Sequence, residues 1–216
     1  MNHSLYRLIA GFKRFREKYF LQEDADSSIY TRLSTIGQNP KTLLIGCSDS
    51  RVDPAILTGA SPGDIFVIRN VANLVPPCET SDVGFHGTSS AIEFAVLNLK
   101  VENVIILGHR QCGGIRALMS REPLVKKTFI SQWMNIVEEV HQHVHASHPD
   151  ADDDTRCRLA EMESIRVSLR NLRSFPFVEE AIASRNMNVI GVYFDLEQGQ
   201  LWHFDDATQA FVRLPV

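Results

Sequence analysis

Two short clusters of the sequence contain the side-chain types that bind zinc in proteins. Cys47 opens the stretch Cys-Ser-Asp-Ser-Arg at residues 47–51, and His109 and Cys112 lie in His-Arg-Gln-Cys-Gly-Gly at 109–114. Thiolate and imidazole are preferred zinc ligands, and a catalytic zinc site keeps one of its four positions for water or substrate. We therefore predict three fixed ligands, Cys47, His109 and Cys112, in a centre for metal-assisted hydration.

Asp49 offers a carboxylate that could serve as the fourth metal ligand. It lies two residues after Cys47, and Arg51, two residues further, could instead hold it in a bidentate ion pair. Two thiolates balance the charge of the ion, so a bound water should be less acidified than on a site of three histidines. We expect Asp49 and Arg51 to form a catalytic gate with two states, and activity to rise with pH.

A structural zinc site is the main alternative interpretation. Such a site is closed, usually by four Cys or His ligands from Cys-x-x-Cys pairs, and this chain has no such pair. A structural site also has no use for an Asp-x-Arg pair. The other two cysteines, Cys78 and Cys157, have no partner motif, and a chain of this size does not need disulfides.

Each cluster directly follows a short apolar run, residues 43–46 in one case and 104–108 in the other. Such runs are typical of buried parallel strands. Both clusters are then predicted at the carboxyl ends of strands, where open α/β sheets bind ligands. Two segments whose ligands lie 62 positions apart in the sequence (109 minus 47) could thus converge on one ion.

The rest of the sequence predicts an α/β fold with a mostly parallel central sheet flanked by helices, formed by residues 1–216 as a single domain. The expected further strands are 65–68, 189–194 and 201–204, the last two joined by a turn at Gly199. The expected helices are 54–57, 88–99, 130–148, 155–173 and 177–185. The long loop 70–85 is a candidate wall of the site.

The first part of the chain predicts a helical arm. Apolar side chains recur at helical spacing over residues 4–20, and a second helix is expected at 27–36. The apolar face of this arm has no obvious place on a single sheet-based core. We therefore predict that residues 1–36 form a dimerisation arm.

Composition restricts the partners. The chain has 216 residues and a net charge of −4, so it lacks the basic field that a nucleic-acid surface needs. No run approaches 18 consecutive apolar residues, and the first residues do not read as a secretory signal. The expected substrate is a small molecule, no membrane association is expected, and the expected location is cytoplasmic.

These motifs together resemble the β-class carbonic anhydrases, which interconvert carbon dioxide and bicarbonate on zinc. The matching segments, in the order and spacing of the family, are residues 47–52, 62–64, 69–73, 91–96 and 108–114. The resemblance runs from about residue 37 to 119 and continues more weakly to 193. It implies one zinc ion per chain on Cys47, His109 and Cys112. It also implies reversible hydration of carbon dioxide by a zinc-bound hydroxide, with Asp49 and Arg51 as the gating pair.

The resemblance also implies residues that bind the substrate. Gln38 corresponds to a substrate-binding glutamine of the plant-like branch, and Phe66, Val71 and Phe94 occupy positions of its apolar pocket, although many plant-like relatives have tyrosine in place of Phe94. Gly113, at the start of the helix after Cys112, is assigned to the same pocket. A dry apolar slot with one amide donor suits a small, linear, nonpolar substrate.

The resemblance further implies a homodimer or a larger homo-oligomer, with a tetramer expected, in which the active site draws residues from both chains. One branch of the family binds bicarbonate at a regulatory pocket built on a tryptophan and a tyrosine. Leu44 and Phe194 stand at those places, so we predict no inhibition by bicarbonate. The alternatives are a hydrolase of carbon disulfide or carbonyl sulfide on the same scaffold, and a noncatalytic zinc-holding protein.

Overall fold

A six-stranded sheet organises the residues that the computed structural model describes, 2–21, 28–79, 86–120 and 128–215. Its strands are β1 (Thr42–Cys47), β2 (Ile65–Asn70), β3 (Asn103–His109), β4 (Asn188–Asp195), β5 (Gln200–Asp205) and β6 (Ala210–Arg213). They lie in the order β2-β1-β3-β4-β5-β6. The first four are parallel, and β5 and β6 continue the sheet antiparallel. The predicted α/β class with a mostly parallel sheet is confirmed.

Nine α-helices connect and flank the strands within the described ranges. They are α1 (His3–Phe20), α2 (Ile29–Ile36), α3 (Pro54–Thr58), α4 (Gly87–Glu93), α5 (Gly113–Met119), α6 (Phe129–Met134), α7 (Glu138–Ser147), α8 (Asp153–Arg173) and α9 (Pro176–Arg185). Local sequence sets several of their ends. Asp53 and Asp152 accept hydrogen bonds from the first-turn amides of α3 and α8, and Thr128 closes a capping box on α6.

The long helix α8 packs directly on the centre of the sheet. A Cβ atom at Gly108 of β3 would lie 2.6 Å from Cδ1 of Ile165, and one at Gly191 of β4 would lie 2.8 Å from Cγ2 of the same residue. Real Cβ atoms essentially never approach so closely, so a larger residue at either position would displace Ile165. Through this close contact, α8 packs against β3, the strand that ends at His109.

Two local predictions differ from the structure. The helix expected at 130–148 is two helices, α6 and α7, separated by a 3₁₀ turn at Asn135–Val137. No proline or glycine marks this break in the sequence. It is a tertiary effect, because the Trp133 indole N–H donates to the Val71 carbonyl over 2.8 Å while Met134 and Val137 are buried. The short edge strand β6 was not predicted, since it has only four residues.

The N-terminal arm lies on the outside of the molecule. None of the side chains of α1 or α2 is buried. The two helices contact each other through a cluster of four aromatic rings, Phe15, Tyr19, Phe20 and Tyr30. The second predicted helix began at residue 27, which lies outside the described residues; α2 itself begins at Ile29. None of the described helices is both long enough and apolar enough to span a bilayer.

Candidate metal centre

The carboxyl ends of β1 and β3 carry the first two donors of the centre. The two strands are parallel neighbours, and Gly46 pairs with Leu107, so Cys47 and His109 end their strands side by side. Cys112 follows as the N-cap residue of α5. The two Sγ atoms and an imidazole nitrogen all lie within 4.8 Å of one another. Three buried donors of these types form a group that could hold a metal ion.

The ring of His109 is oriented for ligation. Its Nδ1 lies 2.8 Å from the carbonyl oxygen of Arg110, so Nδ1 carries the proton and donates it. The opposite nitrogen, Nε2, is buried and has no hydrogen-bond partner among the residues that the structure describes. A buried nitrogen without a partner is costly unless it binds something. The donor set and this nitrogen therefore both fit a zinc ion.

The two thiols of the centre titrate as a pair. A hydrogen bond from the Cys112 thiol lowers the pKa of Cys47 to about 4, and backbone amides of Asp49 and Ala72 act in the same direction. The pKa of Cys112 is raised, first by this contact with Cys47 and then by burial. Burial lowers the pKa of His109, but the Cys47 side chain outweighs this and raises it. Proton loss from either thiol therefore depends on the charge of the other.

Two glycines follow Cys112, and only one of them is closely packed. A Cβ atom at Gly114 would lie 2.8 Å from Cγ1 of Val71, so the start of α5 packs closely against that residue. A Cβ atom at Gly113 would meet no described atom within 4 Å. Absence of a side chain therefore matters for close packing at Gly114 and not at Gly113.

Asp49 is held by Arg51 in a bidentate ion pair. The guanidinium donates from Nε to Oδ1 over 3.0 Å and from Nη2 to Oδ2 over 2.7 Å, and the Arg51 amide donates to Oδ1 over 2.9 Å. These bonds hold the pKa of Asp49 well below its usual range. Arg51 Nη2 also donates to the carbonyl oxygen of Gln111 over 3.0 Å. The arginine thus contacts both the loop after Cys47 and the turn between His109 and Cys112.

Sequence reasoning missed two residues that support the centre. Arg69 on β2 donates to the carbonyl oxygens of Cys47 over 2.9 Å and of Asp49 over 2.7 Å, which fixes the loop after β1. Glu161 on α8 accepts a hydrogen bond from the amide of Cys112 over 3.0 Å. Burial raises the pKa of Glu161, opposed by its hydrogen bonds. Arg69 stands in a motif of the family resemblance, whereas nothing local marks Glu161.

The residues expected to bind substrate do not all lie beside Cys47, His109 and Cys112. Phe66 pairs with Leu43, four residues before Cys47 on β1, which corresponds to about 13 Å along the strand. The ring of Phe94 lies 5.9 Å from that of Phe66. Gln38 precedes β1 and is exposed. These three residues therefore lie towards the amino end of the strands, opposite the ligands.

Val71, like Gly113 directly after Cys112, lies at the edge of the sheet where Cys47 and His109 end their strands. It follows β2 directly, and the amide of the next residue, Ala72, contacts the Cys47 thiol. Beside it an open groove of about 730 Å³ is lined by Asn70, Val71, Pro76, Pro77, Glu79, Trp133 and other residues. Part of the loop predicted at 70–85 therefore lines this groove, while residues 80–85 lie outside the described chain.

Comparison with known proteins agrees with the geometry. The sequence profile of the carbonic anhydrase family matches residues 42–201. The chain is 33% identical over 210 residues to beta carbonic anhydrase 3 of Arabidopsis thaliana, covering 94% of this chain and 78% of that protein.

Solved structures give the same result. The β-carbonic anhydrase CcaA superposes with a TM-score of 0.88 at 30% identity, covering 100% of this chain and 94% of CcaA. A structure of two tetrameric β-carbonic anhydrases from Sordaria macrospora gives a TM-score of 0.77 at 29% identity, covering 93% and 95% of the two chains. By sequence profile, identity and fold, this chain belongs to the β-class carbonic anhydrases and is a carbonate dehydratase.

Proposed function

We propose that this carbonate dehydratase works with one zinc ion per chain, held by Cys47, His109 and Cys112. The proposal depends on one observation: the donor atoms of these three buried residues lie within 4.8 Å of one another. In addition, Nε2 of His109 has no hydrogen-bond partner among the described residues. When bound, the zinc ion activates a water molecule for attack on carbon dioxide. Two thiolates and one imidazole leave one tetrahedral position for that water.

Asp49 and Arg51 are proposed to control access to that position. While the guanidinium of Arg51 holds both carboxylate oxygens, Asp49 is directed away from ligation and can accept a hydrogen bond from the attacking water. If the ion pair opens, the carboxylate is free to become the fourth ligand and exclude water. The contacts of Arg51 with Asp49 and with Gln111 support the first state.

We predict that hydration rates rise from neutral to alkaline pH and that Asp49→Ala lowers them. Because Arg51 keeps the pKa of Asp49 low, the carboxylate stays ionised throughout this range, so its own titration does not account for the rise. Asp49→Ala should retain zinc and lose about 10²-fold in kcat/KM or more. Zinc analysis and stopped-flow hydration assays at several pH values measure both effects.

Glu139→Gln provides the matched control for Asp49→Ala. Glu139 is an exposed carboxylate of α7 that pairs with Arg170 of α8, away from the metal centre and from the amino edge of the strands, and its replacement should leave the rates unchanged. A flat pH profile in the wild type, or wild-type rates in Asp49→Ala, would contradict the gate.

We infer that the active unit is at least a dimer in which each chain completes the site of the other. Gln38, Phe66 and Phe94 lie towards the amino ends of the strands, too far from Cys47, His109 and Cys112 of the same chain to reach an ion held there. A protein with closed symmetry can bring this edge of one copy to the ligand edge of another. The tetrameric state of the Sordaria macrospora relatives supports assembly, and a tetramer is the form we propose.

The N-terminal arm is proposed to wrap the partner chain. Leu5, Tyr6, Leu8, Ile9 and Phe12 of α1 are exposed, and the groove beside Val71 presents Phe129 and Ile130, which are exposed as well. If α1 of each chain packed against the partner chain, the apolar face of α1 and the groove beside Val71 would both be removed from water.

A complementation experiment tests whether the sites are shared. We predict that Cys112→Ser and Gln38→Ala are each impaired, the second by about 10²-fold through loss of an amide donor. In a hybrid dimer, the Gln38→Ala chain supplies an intact metal centre and the Cys112→Ser chain supplies Gln38. Coexpression of the two variants should then restore about a quarter of wild-type activity, because half of the dimers are hybrids with one intact site each.

The control is coexpression of Cys112→Ser with Cys47→Ser, in which no hybrid site has an intact set of ligands. Its activity should stay at the background level. Activity in the Gln38→Ala mixture that equals the average of the two separate variants would contradict shared sites.

We propose that added bicarbonate does not inhibit this enzyme by binding at a regulatory pocket. Leu44 is buried within β1 and Phe194 lies on β4, and neither offers the hydrogen-bonding group of a tryptophan or tyrosine. Stopped-flow assays with increasing bicarbonate should show only competition by the product. A noncompetitive loss of activity would contradict this proposal. The cytoplasmic location stays a prediction from the sequence.

A further inference from the structure

The turn between the ligands His109 and Cys112 is not a relaxed conformation. Gln111 has a φ of 58°, in the left-handed region that disfavours side chains other than glycine. Such a turn persists only when its neighbours hold it. The Arg110 amide donates to the Phe194 carbonyl over 2.9 Å, and the Arg110 side chain pairs with Asp154.

The end of this turn is held by a buried carboxylate. Glu161, on α8, is 2% exposed, and its Oε1 accepts the hydrogen bond from the Cys112 amide over 3.0 Å. Its Oε2 accepts one from the hydroxyl of Tyr193 over 2.8 Å, and Tyr193 is fully buried on β4. Each carboxylate oxygen therefore has one donor, and one of the two donors belongs to a ligand residue.

The Cys112 amide needs this partner. Cys112 is the N-cap of α5, and amides at that position have no acceptor within their own helix. A buried carboxylate is costly unless it is well bonded, so an apolar side chain would be the cheaper way to fill this place. Apolar residues of the same core, including Ile115, Cys157 and Ala160, lie in the cluster around the centre. A glutamate here is therefore explained better by its contact with Cys112 than by packing.

We propose that Glu161 is a positioning residue of the metal centre, acting through Cys112. By fixing the Cys112 amide from α8, it keeps the thiol of Cys112 directed at Cys47 and His109 before any ion binds. Metal-ligating residues depend on such partners for their orientation, and loss of one costs about 10- to 100-fold in metal affinity. The proposal rests on the zinc site proposed above.

The test compares Glu161→Met with Glu161→Gln. Methionine keeps the size of the side chain but cannot accept the Cys112 hydrogen bond well, whereas glutamine retains an acceptor. We expect zinc affinity, measured by competition with a chelator, to fall 10- to 100-fold in the Met variant and about threefold or less in the Gln variant. In cobalt-substituted protein, the thiolate charge-transfer band should weaken in the Met variant alone.

Tyr193→Phe is the control for a merely structural effect. It removes the other donor to Glu161 while the Cys112 contact remains, so it should lower thermal stability without a tenfold loss of zinc affinity. Wild-type affinity in Glu161→Met overturns the proposal, and so does an equal loss in Glu161→Gln. If the Met variant does not fold, Glu161→Asp replaces it: its shorter side chain withdraws the acceptor, so a loss of affinity supports the proposal and wild-type affinity overturns it.

The outcome for the wild type separates the two proposals. Wild-type protein that binds no stoichiometric zinc contradicts the proposed zinc site itself. Wild-type protein with tight zinc binding, together with an unchanged Glu161→Met variant, contradicts only the role of Glu161.

Discussion

Parallel pairing of β1 with β3 is the constraint on which the centre depends. Because the two strands run in the same direction and in register, Cys47 and His109 meet at one edge although they are far apart in the sequence. Antiparallel pairing would have sent their ends to opposite edges. The remaining residues of the centre are close in sequence: Cys112 lies three residues after His109, and Asp49 and Arg51 lie two and four residues after Cys47.

Hydrogen bonds from the rest of the fold hold the loops after these two strand ends in place. Arg69 of β2 holds the loop after Cys47, and Glu161 of α8 holds the amide of Cys112. Helix α8 can reach that position because Gly108 and Gly191 let it approach the sheet closely. Preorganisation of this kind keeps the donors together without the ion, so that binding does not have to order the loops.

The sequence was informative about the centre because its chemistry is local. The three buried donors and the Asp49 and Arg51 pair stand out by residue type and spacing, and the apolar runs before them predict β1 and β3. Contacts between residues far apart in the sequence have no comparable sequence pattern. Glu161 lies 49 residues from Cys112 and within an ordinary helical pattern, and the break at Asn135–Val137 follows from a contact between Trp133 and Val71. The location of Gln38, Phe66 and Phe94 at the amino edge of the sheet likewise follows from strand register and ring contacts that the sequence does not show.

The central claim is that two sulfur atoms and one imidazole nitrogen hold a single zinc ion. X-ray absorption at the zinc edge of the purified protein tests it most directly. The account predicts one zinc per chain with two sulfur neighbours at about 2.3 Å and the remaining neighbours, nitrogen or oxygen, at about 2.0–2.1 Å. A spectrum with three or four sulfur neighbours, or protein that contains no stoichiometric zinc, would contradict it.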